Sequence, residues 1–257
     1  MVTTIGDENW QANQGHMDSR TRWRYTRDAV KYQMAFLVRT LARTGIGGRC
    51  NTEALKRLNL DAIIYPDSAL ARAAVAEMDA ASSPALANHC FRTYLWGSLL
   101  GQLDGNRWDV EELFVSAILH DLGLTETHHG RCRHGECFTL DCVDGAREVL
   151  RHASPEMAKK VSHNILVHLN VEYPNVSCSW EAHYLQAGAT FDITGSRYWD
   201  LPPQLREQVL SRHPRYQLKD EINQWIDREA TLRPGSRMAL LRRIGLKFFV
   251  RNTPFSS

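Results

Sequence analysis

No uncharged apolar run in this chain approaches the about 20 residues that a membrane-spanning helix needs, so no transmembrane segment is expected. The opening stretch, MVTTIGDENWQANQGHMDSRTRWRYTRD, also lacks the continuous apolar core of a signal peptide, and the expectation is a soluble, cytoplasmic protein. An excess of one charge is missing too: 31 Lys and Arg stand against 29 Asp and Glu, for a formal net charge of +2. That near-balance creates no field to gather nucleic acid or an anionic membrane, and neither is expected as a partner. Runs of β-branched residues bounded by turns are nearly absent, which removes the usual strand pattern. Six cysteines (Cys50, Cys90, Cys132, Cys137, Cys142 and Cys178) in 257 residues without a secretion signal read as reduced thiols, not as a disulfide framework. Neither an internal repeat nor a low-complexity linker divides the chain.

What is present is apolar residues at helical spacing almost throughout, and the fold class that follows is all-α. Residues 27 to 44 read as an amphipathic helix (Val30, Met34, Leu37, Val38, Leu41) ended by Gly45, and 67 to 81 as an Ala-rich helix opened by Asp67 or Ser68. From Pro84 the string PALANHCFRTYLWGSLLGQL predicts a long core helix, and DVEELFVSAILHDLGL another, capped by Asp109 and running out at Gly123. Residues 125 to 138 have no periodicity and read as a loop, after which TLDCVDGAREVLRHA is helical. Ser154 and Pro155 start a helix that stops before Pro174, and a buried helix over 180 to 194 is closed by Gly195. Further helices are predicted near 203 to 212, 217 to 230 and 236 to 250.

The chemistry concentrates at His120 and Asp121, which end an otherwise apolar helix. Burying an imidazole and a carboxylate beside Ile118 and Leu119 is costly unless both are paired or bound to a metal. Adjacent helical residues point about 100° apart, so one ion beside the helix end can be gripped by both. Further ligands must come from other helices, and His89 and Asp192 are the best candidates, each a polar residue where its helix pattern predicts burial.

This ordered set of a His, a His-Asp dipeptide and a later Asp resembles the metal signature of the HD-domain superfamily. NHCFRTY is similar to that family's first motif, with Arg92 one turn after His89, and ILHDLGLTE to its second. FTLDCVDGA, ILVHL, LQAGATFDITG and the stretch HPRYQLKDEINQWIDREATLRPGSR resemble the branch that contains the cyanamide hydratases. The resemblance implies an HD-domain helical bundle holding one divalent metal ion on His89, His120, Asp121 and Asp192. It divides the chain into an N-terminal helical extension (1–66), a metal-binding catalytic domain (67–235), and a C-terminal helix and tail (236–257) packing on the domain or on a partner subunit. Two His and two Asp suit zinc, with iron or manganese as alternatives.

The activity implied is a hydratase or hydrolase that adds metal-activated water to a small molecule such as cyanamide or a related nitrile. His168, on the apolar string ILVHL, is the candidate acid or base; Asp121 can act from beside the metal, and Arg92 can orient an anionic group. The alternatives are a metal-dependent phosphohydrolase acting on a nucleotide or other phosphomonoester, and a non-enzymatic helical binding module with a structural metal. Two-metal members of the superfamily carry extra histidines, for which His128, His129, His134, His163 and His183 are available; di-iron oxygenase chemistry would need them too. The cluster HHGRCRHGEC with Cys142 has the wrong spacing for a structural zinc and reads as a loop that can form a lid. The basic, amphipathic MALLRRIGLKFFVRNTPF reads as core or as the interface of a homo-oligomer.

Overall fold

Serine and aspartate side chains write most of the helix starts. Ser68, Ser83, Asp109, Ser154, Ser179 and Ser236 each accept a hydrogen bond from the backbone N–H three residues on, satisfying one of the orphan donors of a first turn. The computed structural model describes residues 5–44, 52–132, 135–171 and 179–255. Among these it has thirteen α-helices, three short 3-10 turns and no strand, the all-helical class expected. In chain order the helices are α1 (Glu8–Ala12), α2 (Ser19–Thr44), α3 (Thr52–Leu55), α4 (Ala69–Ala81), α5 (Pro84–Asp104), α6 (Val110–Leu119) and α7 (Phe138–Leu150). They continue with α8 (Pro155–Val167), α9 (Trp180–Thr194), α10 (Pro203–Arg212), α11 (Leu218–Leu232), α12 (Arg237–Arg243) and α13 (Leu246–Arg251).

The centre of the bundle is the pair α5 and α9, the most extensive helix contact among the described residues. Two glycines allow it. A Cβ on Gly97 would lie 2.4 Å from the Tyr184 carbonyl oxygen, and one on Gly188 would lie 2.1 Å from that of Thr93, so a side chain at either position would hold the two backbones apart. This approach sets His89 of α5 against Asp192 of α9. Helices α6, α7 and α8 complete one side, and α11 to α13 close over the other.

The described N-terminal residues belong to the same core. Trp10 is fully buried with the Arg237 guanidinium 5.0 Å from its ring, and the Tyr25 hydroxyl donates to the Leu169 carbonyl at 2.7 Å. On α2, however, the apolar face anticipated from sequence points outward: Met34 is 55% and Val38 62% exposed, and Val30 and Leu37 are exposed as well. The buried stripe is instead Thr21, Tyr25 and Ala29, which the Tyr25 bond to Leu169 turns towards the bundle. The Leu41 side chain and Gly45 lie outside the described residues. The single C-terminal helix anticipated over 236 to 250 is two, because Gly245 adopts φ +100° and breaks α12 from α13. Both pack on the domain. No helix among the described residues is long and apolar enough to cross a membrane.

Candidate metal centre

Helix α6 ends at Leu119, one residue before the chemistry begins. His120 stays near helical dihedrals, Asp121 departs to φ −115°, ψ 12°, and Leu122–Leu124 tighten into a 3-10 turn. Gly123 clamps this turn onto α7: a Cβ there would lie 2.4 Å from the Phe138 carbonyl oxygen and 2.8 Å from the Cys142 nitrogen. Its role is close approach, not the helix stop read from the sequence.

Three imidazoles are pinned through Nδ1. His120 Nδ1 lies 2.7 Å from the Ala117 carbonyl oxygen and His168 Nδ1 lies 2.6 Å from that of Ile165, while His89 Nδ1 lies 2.8 Å from Asp192 Oδ2. Carbonyl and carboxylate oxygens only accept, so each Nδ1 carries a hydrogen, and in the neutral ring Nε2 keeps its lone pair. The three Nε2 atoms face the Asp121 carboxylate: His120 at 3.2 Å and His89 at 3.4 Å from Oδ2, His168 at 3.7 Å from Oδ1. His89, His120 and Asp121 offer one ligand atom each within 4.8 Å of one another, all three buried. Spacings of 3.2 and 3.4 Å are about those between neighbouring ligands of a tetrahedral ion with bonds of ~2.0–2.2 Å. The buried Nε2 of His120 makes no hydrogen bond, an orphan that a cation would satisfy. The residues fit a divalent metal.

Asp192 does not join them, which corrects its placement as the fourth ligand. Besides His89 Nδ1, its two oxygens accept from Arg92 Nε and Nη2 at 2.9 Å each, Trp96 Nε1 at 3.0 Å and Arg215 Nη1 at 3.0 Å. With five donors its lone pairs are committed, and it stands behind His89, fixing that ring's orientation. Arg92 is corrected in turn. Its guanidinium is fully buried, bound to Asp192 and to the carbonyls of His213 and Pro214, and is not available to orient an anionic group of a substrate.

Electrostatics follow from these partners. Burial disfavours charge on His120, yet the Asp121 carboxylate outweighs it and holds the imidazole up to about 10; a cation here would displace that proton. Burial also works against ionised Asp121 and Asp192, but His120 for the first, and Arg92 and Arg215 for the second, hold both well below the usual carboxylate range. Burial and then the positive charge of His120 push His168 down to about 3, and displacing the His120 proton would remove the second of these causes.

The centre forms the floor of a pocket with a cavity volume of about 130 Å³. His89, His120, Asp121 and His168 all line it. Its walls come from elements that sequence reasoning left without chemistry: Tyr32 and Phe36 of α2, Ile222 and Ile226 of α11, Met238 of α12 and Phe249 of α13. Phe36 and Phe249 meet edge to face, ring centres 5.5 Å apart. Among the described residues no Lys or Arg lines it. The anticipated lid is elsewhere: none of the described residues between Leu124 and Phe138 lines the pocket. His128 is tied to Glu77 at 2.8 Å, and Asp141 accepts from the backbone of Gly130 and Cys132, which fastens that loop to α4 and α7. Its thiols go separate ways, Cys132 to Gln14 and Cys142 to the Gly123 N–H. His134 and Cys178 lie outside the described residues.

Neither a family model nor a curated protein matches this chain.

Proposed function

We propose that this chain is a metal-dependent enzyme of the HD type, a hydratase or hydrolase that adds activated water to a small uncharged molecule such as cyanamide or a related nitrile. The observation that carries the reading is the convergence of the His89, His120 and His168 Nε2 atoms on Asp121 at the floor of a pocket whose described lining holds no Lys or Arg. His89, His120 and Asp121 would hold a divalent cation, zinc by preference with iron or manganese as alternatives, which when bound would lower the pKa of a water to about 7 and polarise the substrate. Asp192 and the Ala117 carbonyl keep the two ligating imidazoles in the tautomer that offers Nε2. His168, facing the pocket, is the proton carrier: with the His120 proton displaced by a cation, its Nε2 accepts a proton as the carbon–oxygen bond forms and returns it to the substrate nitrogen. The walls around the reacting end are largely apolar.

The same pocket weighs against the phosphohydrolase reading, since phosphoryl transfer draws on Lys, Arg or a second cation around the transferred group. A homo-oligomer belongs to the proposal, supported by the exposed Val30, Met34 and Val38 of α2, as does a cytoplasmic location. The test is metal analysis of purified protein followed by assays with cyanamide and with a generic phosphate ester, before and after chelation. Metal-dependent urea formation from cyanamide supports the hydratase. Phosphate release instead supports the phosphohydrolase, and a metal-free, inert protein supports a binding module.

A further inference from the structure

Two features of the pocket are unused by the chemistry at its floor. The first is the wall. Ile193, Ile222, Ile226, Met238, Leu241 and Phe249 give it a largely apolar lining. The cavity of about 130 Å³ is close to the ~150 Å³ at which a Leu, Ile and Phe-lined cavity takes up benzene. Cyanamide alone would leave most of such a space unfilled and its lining without contacts. The second is Gln186. It is 5% exposed, lines the pocket from α9 on the face shared with Ala189, Thr190 and Ile193, and its side-chain amide makes no hydrogen bond among the described residues. Its amide atoms are not sealed from the space they line, so a ligand polar group can pair with them there.

Charge narrows the class further. The lone carboxylate among the described lining residues is Asp121 and no Lys or Arg stands beside the apolar walls, so an anionic ligand would find a counter-charge only at the floor, from a bound cation. A cationic head would gain from Asp121 but would compete with the metal for the same oxygens.

We infer that the occupant of this pocket is an uncharged molecule with a compact apolar body about the size of a benzene ring, seated against Ile222, Ile226 and Leu241, and a short polar end within reach of Gln186. This deepens the hydratase reading by naming its substrate class, an aryl or short branched-alkyl nitrile, and rests on that reading only for the reactive end. Gln186 is then a positioning residue that selects ligands carrying a hydrogen-bonding head.

The experiment is equilibrium binding of benzonitrile, toluene, benzoate and cyanamide to the full-length protein as purified, read by calorimetry, with the metal content of the same sample measured. Benzonitrile is expected to bind about tenfold or more tightly than cyanamide, because only it buries an apolar ring, and benzoate is expected to bind more weakly than benzonitrile once chelation has removed any metal that could ligate its carboxylate. Gln186→Leu should weaken benzonitrile about tenfold and leave toluene unchanged, a split that a merely structural role would not produce. Leu241→Trp, which fills the cavity, should abolish binding of both at unchanged metal content; if that variant fails to fold, the ranking of ligands on the natural protein decides. Cyanamide or benzoate binding as tightly as benzonitrile overturns the inference, as does an unchanged benzonitrile affinity in Gln186→Leu. A metal-free protein that keeps the ranking defeats the hydratase reading and leaves the inference standing. A metal-loaded protein that hydrates cyanamide but ignores benzonitrile does the reverse.

Discussion

Asp192 Oδ2 sits 2.8 Å from Nδ1 of His89, on the side of the ring away from the metal centre. The same carboxylate is held by Arg92 from α5 and by Arg215 from the segment after α10, so the orientation of one candidate metal-ligating imidazole depends on a buried ion cluster. Metal binding on the proposed ligands would thereby be coupled to the stability of the α5–α9 core through a single side chain.

Asp192→Asn is accordingly expected to act on both. Removing the charge leaves Arg92 and Arg215 buried without their counter-ion, a change of about 3–5 kcal/mol when one partner of a buried pair is lost. It also lets the amide present N–H where His89 Nδ1 needs an acceptor, and loss of such an orienting partner lowers metal affinity about 10–100-fold. Thermal denaturation and competition with a chromogenic chelator read the two effects separately. An Asn variant of natural stability that loses stoichiometric metal would instead return Asp192 to the coordination sphere.

His168→Gln separates the proton carrier from the ligands. His168 lies on the Oδ1 side of Asp121, whereas His89 and His120 both face Oδ2. The variant is expected to retain one equivalent of metal while kcat falls about 10²–10⁴-fold, the usual contribution of a positioned acid or base. His120→Gln should lose the metal itself. Metal content and kcat measured on both variants decide between the roles, and equal metal loss in both would make His168 a ligand.

Gly188→Ala tests the geometry beneath the site. The new Cβ would stand 2.1 Å from the Thr93 carbonyl oxygen and 2.9 Å from the Gly97 nitrogen, which are backbone atoms that move only if α5 and α9 part. Overpacking of this kind costs about 1–3 kcal/mol, and more where backbone must shift. The expected result is a lowered Tm with weaker metal binding, since separating the helices draws Asp192 away from His89. Unchanged metal affinity at reduced stability would uncouple the two.

The helices and the His-Asp dipeptide were legible in the sequence because their signals are local. Ser154 with Pro155, Asp109, and Gly195 after Thr194 mark helix ends that the structure places at the anticipated residues. His120 and Asp121 stand out because polar groups interrupt an apolar run. What each side chain meets across the bundle was not legible. Whether Asp192 faces Nε2 or Nδ1 of His89 turns on the rotation between α5 and α9, which Gly97 and Gly188 set and no periodicity encodes. On α2 the run from Val30 to Val38 carries apolar residues on more than one face, so pattern alone selected the exposed one. The pocket walls from α11 to α13 read as ordinary core, because Ile, Leu, Met and Phe look alike whether they meet protein atoms or a ligand.

A pH-dependent contribution to stability is expected at His213, away from the metal ligands. Its ring stacks on Phe91 at 4.8 Å, accepts from or donates to the Tyr65 hydroxyl at 2.9 Å through Nε2, and contacts Asn88 Oδ1 at 3.2 Å through Nδ1. An amide oxygen accepts from Nδ1–H, which leaves Nε2 to accept from Tyr65 and the ring neutral. Burial first, then the nearby Arg92 and Arg212 charges, push the imidazole from its ordinary 6.5 down to about 4. The folded protein thus refuses a proton that the unfolded chain takes up, so the stabilisation is complete above pH 6.5 and is lost progressively as the pH falls towards 4. His213→Gln removes the titrating group. The difference in unfolding free energy between the natural protein and this variant, taken from urea melts at several pH values, should therefore shrink steadily from pH 6.5 to pH 4. A difference that holds constant over that interval would mean that His213 is protonated in the folded state and that Tyr65 and Phe91 do not keep it neutral.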